Sequence, residues 1–271
     1  MKTFGQMRNA LTMIELIFVI VILGIVASIG AEIIAQTYES YIVQRAQYRA
    51  TMKTELALNQ IANRLRYAIP GTVMAENSGS LVSITDINST TSNLLQWVAY
   101  DGDSFEAIGS SGRQPGWSGF CDIDASSNSA ISTPGSNLGL ASTIITNLGG
   151  SLSSAVLYFP DGSSYAVNGG SGESITLGST IPSGSRIFER YKLAWSSYAL
   201  SVESGDLYLY YNFNPTVGTP LGSNKSLLLK DVTNFRFKGS EGALRIKICK
   251  EEQIGINSSD TIHACKEKVI F

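Results

Sequence analysis

The chain has 271 residues, 15% of them charged and 44% hydrophobic, with a formal net charge of -2. This length suits one sizeable domain with an accessory segment, or two small domains, and the balanced charge gives no general signal for nucleic-acid binding. One histidine and three scattered cysteines leave few ways to build a zinc site. No phosphate-binding loop, dinucleotide fingerprint, nucleophile elbow or HExxH motif is present, so we predict a non-enzymatic protein without a cofactor.

A short basic segment, residues 1–10, precedes a long apolar run. No residue from Leu16 to Ala31 is charged, and with the apolar residues on both sides the run reaches the ~20 residues needed to span a bilayer. We therefore predict a membrane-spanning helix over residues 11–35. Lys2 and Arg8 place residues 1–10 on the cytoplasmic side, because basic flanks stay there.

Glu15 interrupts the start of the apolar run. A lone carboxylate at membrane depth costs roughly 2.5–3.5 kcal/mol on insertion scales. Either Glu15 lies near the interface and reaches the headgroups, or it meets a positively charged partner.

The N-terminal pattern resembles the signal of type IV pilins and type II secretion pseudopilins: Ala10, then LTMIE, then a Leu/Ile/Val run with Gly24. The resemblance implies that a prepilin peptidase cleaves between Ala10 and Leu11 and that Leu11 is then N-methylated. It also implies that Glu15 pairs with the Leu11 amine of a neighbouring subunit during assembly. Other pilin or pseudopilin subunits, the peptidase, the inner-membrane assembly platform and the inner membrane are the implied partners.

The chain departs from the family pattern at three positions. Ala10 stands where Gly is commoner and Leu11 where Phe is commoner, which fits the motif less tightly. Glu32 stands where many major pilins have a kinking proline, so we expect a straighter helix. The alternatives are an ordinary secretory signal cleaved after Ala31 and a plain signal anchor, but Glu15 and the uninterrupted helical pattern past Ala31 argue against secretion.

The helical pattern continues through residues 36–69 as an amphipathic segment, and Pro70-Gly71 ends it. Two nearly opposite apolar stripes follow from helical spacing: Tyr38, Ile42, Met52 and Leu56 in the first, and Leu58, Ile61, Leu65 and Ile69 in the second. We expect the second stripe to pack on the chain's own sheet and the first to face other subunits; the alternative is one broad core face. A basic edge of Arg45, Arg49 and Lys53 suits solvent, lipid headgroups or acidic neighbours.

From residue 80 onward, short alternating runs predict strands. They are Leu81–Ile87, Leu94–Tyr100, Ala155–Phe159, Arg190–Val202, Leu207–Phe213, Ser226–Lys238, Ala243–Lys250 and Lys266–Phe271. Glu203-Ser204-Gly205-Asp206 predicts a hairpin turn. The Gly/Ser/Asn-rich stretch 104–185 predicts surface loops or an insertion that decorates the sheet.

The predicted fold class is α+β: a long N-terminal α-helix, half membrane-spanning and half amphipathic, packed on a C-terminal antiparallel β-sheet domain with long Gly/Ser-rich loops, residues 70–271. The segment LLLKDVTNFRFKG (227–239), followed by ALRIKIC, is similar to the C-terminal sheet of larger minor pilins and J-type pseudopilins. The resemblance implies a minor subunit anchored once in the inner membrane, with a periplasmic domain, that later enters a pilus or pseudopilus.

Cys249 and Cys265 are separated by 15 residues, between two predicted C-terminal strands, and a periplasmic location would favour a disulfide between them. Closing that loop would contribute about 3 kcal/mol. The alternatives are reduced thiols or a bridge from Cys121 to one of them. Cys121 otherwise reads as a leftover buried thiol, because the single His263 leaves no matched base to activate it.

Two acidic loops carry candidate metal ligands. No metal site is the main expectation, and Asp101, Asp103 and Glu106, with Asp122 and Asp124 in a second loop, are calcium candidates only by ligand type, since the spacing is not that of an EF-hand.

Asn88 fits an extended bacterial glycosylation pattern, although an ordinary turn explains it as well.

Residues 225–268 are mildly basic, with nine Lys/Arg against six Asp/Glu. The rival function is therefore a membrane-anchored binding module for adhesion, a secreted substrate or DNA.

Overall fold

The computed structural model describes residues 12–77, 79–86, 92–109, 114–240, 242–254 and 260–270. The predicted cleavage site at Ala10 and Leu11 and the predicted glycosylation site at Asn88 lie outside the described residues. The described elements form an α+β fold with one long N-terminal helix and three antiparallel sheets.

The elements, in chain order, are as follows. The helices are α1 Met13–Leu65, α2 Gly102–Phe105 and α3 Leu138–Asn147. The strands are β1 Met74–Asn77, β2 Ser80–Ser83, β3 Leu94–Ala99, β4 Ala130–Ser132, β5 Val156–Tyr158, β6 Ser164–Ser171, β7 Ser174–Leu177, β8 Lys192–Ala194, β9 Ser196–Glu203, β10 Asp206–Phe213, β11 Lys225–Leu229, β12 Val232–Ser240, β13 Ala243–Gln253 and β14 Thr261–Ile270.

Helix α1 is continuous over 53 residues, or about 80 Å at 1.5 Å per residue. It ends at Leu65, not at Ile69 as the apolar pattern predicts. The cause is competition from β3: Ile69 donates its backbone N–H to the Val98 carbonyl at 2.9 Å, and Ala68 bridges Ala99. Residues after Leu65 therefore extend the sheet instead of adding a helical turn.

The C-terminal half of α1 lies along β13 and β14 and is also covered by the six-stranded sheet β11-β10-β9-β3-β1-β2. Leu58, Ile61 and Leu65 are buried in the core between these layers, so the prediction that the second stripe packs on the chain's own sheet is confirmed for them. Ile69 is buried too, but beyond the helix, beside Val98.

The other apolar stripe stays outside this core. Tyr38, Met52 and Leu56 are exposed, and Ile42 is half-buried. A single broad core face is therefore wrong for α1, because its two stripes have different surroundings.

A run of small side chains brings the helix close to the sheet, and the sequence analysis missed it. Ala46, Ala50, Thr54 and Ala57 recur every three or four residues and are all buried. The Thr54 hydroxyl donates to the Ala50 carbonyl at 2.8 Å, so it costs no unpaired polar group. The helical spacing of these small residues was the available signal.

Two strands predicted as single pieces are broken in the structure. The 226–238 prediction divides into β11 and β12 at Lys230-Asp231, where Asp231 has a left-handed φ of 57°. The 190–202 prediction divides into β8 and β9 at Trp195. In both cases the chain crosses between sheets, because β11 and β9 belong to the six-stranded sheet while β12 and β8 belong to others.

The predicted hairpin around Glu203-Ser204-Gly205-Asp206 is confirmed. It joins β9 to β10 through Ser204 and Gly205, both with positive φ, at 51° and 86°. Positive φ at both central positions matches the right-handed twist of the flanking strands, and glycine adopts it without strain.

The 104–185 stretch contains more regular structure than its composition predicts. It holds α3 and β4 to β7, and with β8 these strands form the five-stranded sheet β4-β7-β6-β5-β8. This second lobe has a core of its own, which includes Ile131, Leu138, Leu157 and Ile175.

The close helix–sheet contact predicts that Ala50→Leu destabilises the fold. Ala50 is 0% exposed, so the added atoms must displace packed neighbours, at a cost of about 1–3 kcal/mol. Urea unfolding of the full chain in detergent measures this. Met52→Leu, at a position 49% exposed, is the control and should change little; equal losses in both variants would contradict the packing described.

Candidate functional site

The N-terminal half of α1 is an apolar surface that no other part of the described structure covers. The large apolar side chains from Met13 to Ile34 are all exposed. In the described part of the chain, α1 is the one helix long and apolar enough to cross a membrane, and none of its apolar window is buried. Such a surface needs lipid or other helices around it.

Glu15 lies in the first turn of α1, where the helix dipole favours a negative charge. Thr12, the residue that caps this end, makes no side-chain capping bond. Glu15 and Glu32 bracket the uncharged run and are separated by about 26 Å along the axis, less than the ~30 Å hydrocarbon core. If α1 crosses a bilayer upright, at least one of these acids therefore reaches the apolar layer.

Tyrosines follow the apolar run. Tyr38, Tyr41 and Tyr48 are exposed on the helix just beyond Ile34. Tyrosine is enriched where a membrane meets water, because its ring is apolar and its hydroxyl is polar. Their position is typical of the boundary between a membrane span and an aqueous domain.

Where α1 enters the domain, a buried lysine organises a cluster of charges. Lys250 is 2% exposed, and its Nζ lies 3.0 Å from Asp231 Oδ2 and 3.1 Å from Glu252 Oε2. The same Nζ donates to the carbonyls of Lys230 and Glu251. Lys250 is thus fully paired, as a buried ammonium must be.

Glu252 links this cluster to the helix. Its Oε1 lies 3.7 Å from Arg49 and 3.6 Å from Lys53, so two residues of the predicted basic edge meet an acid of their own chain. Burial favours the neutral carboxyl, but the hydrogen bond and charge of Lys250, with Lys53 and Arg49, outweigh burial and hold the pKa of Glu252 below its usual value.

The sequence analysis missed Lys250, although a signal was present. Leu244, Ile246 and Ile248 alternate onto the buried face of β13, and Lys250 continues that alternation. A lysine at an apolar position of a strand pattern indicates a buried, paired cation.

The structure contains the predicted Cys249–Cys265 disulfide, with Cα atoms 4.0 Å apart. The two residues are direct partners in the β13–β14 ladder. Cys121 is buried and unbridged, and its Sγ lies 3.5 Å from Ser126 Oγ. Burial raises the pKa of the Cys121 thiol, which keeps it protonated and unreactive.

Two of the calcium candidates, Asp101 and Asp122, bond the backbone of their own loops. Asp101 is buried and its Oδ1 accepts the Ser104 N–H at 3.1 Å, capping α2, while burial raises its pKa. Asp122 Oδ1 accepts from the backbone of Asp124 and Ala125 in a tight turn. No group of three His, Cys, Asp or Glu side chains within the described residues could hold a metal ion. Asp101 and Asp122 shape the local backbone.

Four cations gather on the outer face of the three-stranded sheet β12-β13-β14. Arg236 is directly opposite Lys247, and Lys238 is directly opposite Arg245. Glu267 lies 3.2 Å from Arg245 and is the one acid bonded to this group among the described residues. Like charges in direct register repel each other, so this face favours a polyanion.

Comparison with protein-family models, with curated proteins and with solved structures gives no match to this chain. The assignment of function therefore rests on the N-terminal residues and on the geometry described above.

The lowered pKa of Glu252 predicts a pH dependence of stability. The contribution of its charge is present above the unfolded pKa, near 4.3, and is lost as the pH falls through the lower folded pKa. Glu252→Gln should remove about 1–3 kcal/mol at pH 7 and flatten the loss of stability below about pH 4.5. Urea midpoints between pH 3 and pH 7 measure this.

Glu267→Gln is the control for this test, since Glu267 pairs with Arg245 on the exposed face. It should cost less than about 1 kcal/mol. An unchanged acid slope in Glu252→Gln would contradict the role of the cluster.

Proposed function

We propose that the chain is a non-enzymatic structural subunit, a minor pilin or pseudopilin, of a type IV pilus or a type II secretion pseudopilus, and that it assembles through its N-terminal helix. One observation carries the proposal: an apolar half-helix is uncovered by the described residues, and an acid, Glu15, lies at the start of its uncharged run. Lipid covers such a surface before assembly, and neighbouring helices cover it afterwards.

The position of Glu15 supports a partner rather than a merely structural role. A carboxylate inside an apolar layer is stable only beside a positive group. The N-terminal amine of a processed neighbour, at Leu11, supplies that charge in the family that the sequence resembles. Each subunit then recruits the next through one buried ion pair, and the inner-membrane platform and the prepilin peptidase act on it before assembly.

The connection between helix and domain supports the same role. The buried small residues and the Lys250–Glu252 cluster fix the C-terminal half of α1 to the sheets. The exposed N-terminal half therefore extends from a part of the helix that is held in place. The uncovered stripe of Tyr38, Met52 and Leu56 offers further apolar area to neighbouring subunits.

Glu15→Ala should leave processing intact but reduce incorporation into filaments by about tenfold or more, because an uncompensated amine then enters the apolar layer. Mass analysis of the N-terminus measures processing, and the amount of the protein in sheared filaments measures assembly. Glu32→Ala, at the other end of the uncharged run, is the control and should assemble normally.

Normal incorporation of Glu15→Ala would overturn the ion-pair argument. A mature chain that begins at a methylated Leu11 supports the proposal as a whole. A chain that begins at Glu32 would point to ordinary secretion instead.

A second candidate function, an anchored binding module for DNA, is favoured by the outer face of Arg236, Lys238, Arg245 and Lys247. These cations lie on one side of the three-stranded sheet and have a single bonded acid among the described residues.

This second function predicts that duplex DNA binds the purified protein with an affinity that falls steeply with salt. Three or four phosphate contacts give a slope of about -3 in log K against log salt. The double variant Arg236→Ala/Lys238→Ala should reduce that slope by about 2, whereas Lys225→Ala, outside this face, should leave it unchanged. Binding without salt dependence, or none at all, would exclude DNA as the ligand of this face.

A further inference from the structure

An aromatic cleft lies where the second lobe meets the part of the domain that packs on α1. The proposed filament function does not use this cleft. It has a volume of about 410 Å³, within the ~300–1,000 Å³ range of ligand sites. Ile69 and Pro70, just beyond the end of α1, form part of its wall. The cleft is therefore at the opposite end of the domain from the apolar half-helix, about 46 Å along the axis from Ile34.

Six aromatic residues line the cleft. They are Tyr100, Phe105, Trp117, Tyr158, Phe159 and Tyr191. Trp117 is at the centre of four of them: its ring centroid lies 4.8 Å from Phe105, 5.7 Å from Tyr191 and 6.2 Å from Tyr100. These four rings therefore form one packed aromatic cluster.

The polar atoms of these rings are occupied inside the protein. Trp117 Nε1 donates to the Asp101 carbonyl at 2.9 Å, and the Tyr158 hydroxyl donates to the Pro215 carbonyl at 2.7 Å. The Tyr191 hydroxyl is 2.7 Å from Thr133 Oγ1, and burial raises the pKa values of Tyr158 and Tyr191 to about 12. Trp117, Tyr158 and Tyr191 are thus held in place and buried behind the cleft, whereas Phe105, 42% exposed, and the half-buried Tyr100 offer carbon surface to a ligand.

Gly119 keeps the floor of the cleft open. A Cβ at this position would lie 3.3 Å from Trp117 Cζ3 and 3.6 Å from Phe105 Cε2, and its φ of +70° favours glycine. A side chain here would project among the rings and take up ligand space.

Two cations border the rings. Lys192 Nζ lies 4.8 Å from the Tyr100 ring centroid and is half-buried, and burial lowers its pKa. Arg190 is exposed. Neither forms an ion pair within the described ranges, whereas six other lysines and arginines do so elsewhere in them. A partly desolvated, unpaired cation favours an anion.

The backbone beside the cleft is already paired, which excludes a peptide added as a strand. Asp101 N–H donates to the Leu193 carbonyl at 2.7 Å, and Tyr191 N–H donates to the Gly119 carbonyl at 3.1 Å. The outer edge of β8 is thus covered along the cleft. Recognition must come from the rings and the two cations, since strand addition needs free N–H and carbonyl groups.

We propose that this cleft binds a sugar residue bearing a carboxylate, with the apolar face of the sugar ring on Phe105 and Tyr100 and the carboxylate at Lys192 and Arg190. A sugar ring has one face of C–H groups, which fits the exposed rings, and hydroxyls at its edge, which can stay in contact with water. Arg190 at the mouth can bind the carboxylate with two parallel hydrogen bonds.

The test titrates full-length protein in detergent with tri-galacturonate by calorimetry, and with a neutral malto-trisaccharide of the same length. Tri-galacturonate should bind, and the neutral sugar should bind at least about tenfold more weakly. Arg190→Gln, at an exposed position, and Lys192→Gln should each weaken tri-galacturonate binding by about tenfold; Phe105→Ala should weaken both sugars.

Lys225→Gln is the matched control, because Lys225 also lies over a tyrosine ring, 4.6 Å from that of Tyr208, but outside the cleft. It should bind tri-galacturonate as the parent does. Thermal unfolding of each variant confirms that it is folded.

Four outcomes would overturn the proposal: no binding of tri-galacturonate, equal binding of the neutral sugar, an equal loss in Lys225→Gln, or tighter binding of N-acetyl-phenylalanine, which would assign the cleft to a peptide carboxylate. None of these outcomes bears on filament assembly, so this proposal and the structural role stand or fall separately.

Discussion

Helix α1 is one uninterrupted rod that must satisfy two different surroundings, and the rest of the structure follows from that constraint. One face of its C-terminal half is buried against two sheets, where Leu58, Ile61 and Leu65 remove apolar area from water. Its N-terminal half has equally apolar side chains, which the described residues do not cover. Because a continuous helix is stiff, the packing of its C-terminal half on the sheets sets the direction of its N-terminal half.

The ion pairs around Lys250 also attach α1 to β13. Burying an ammonium and a carboxylate costs several kcal/mol per ion before their attraction is counted, and a hydrophobic pair of the same size would often be as stable. What the ions add is direction: Lys250 and Glu252 on β13 match Arg49 and Lys53 on α1 at one register of helix against strand. We infer that this cluster specifies the position of the helix along the sheet. The Cys249–Cys265 disulfide joins the same strand, β13, to β14.

The second lobe is joined to the first by a small apolar cluster of Ile69, Val98, Val156, Tyr158 and Ala194. The chain passes between the lobes at Trp195, where β8 ends and β9 begins. The aromatic cleft lies at this junction, since two separately packed cores leave a gap that neither fills. The proposed assembly surface on the helix and the proposed ligand cleft therefore lie at different ends of the helix-bearing domain.

Local residue patterns determined much of this protein. The continuous helix, its uncharged half, the stripe of Leu58, Ile61 and Leu65, the Ser204-Gly205 turn and the facing cysteines all follow from spacing and chemistry within short windows. Tertiary structure decided the rest. Helix α1 ends at Leu65 because β3 offers backbone partners that lie distant in sequence, and the run after Ser226 breaks at Asp231 because its two halves join different sheets. Lys250, the outer cationic face and the cleft combine residues from separate strands. Their geometry depends on sheet register and lobe packing, which short-range periodicity does not encode.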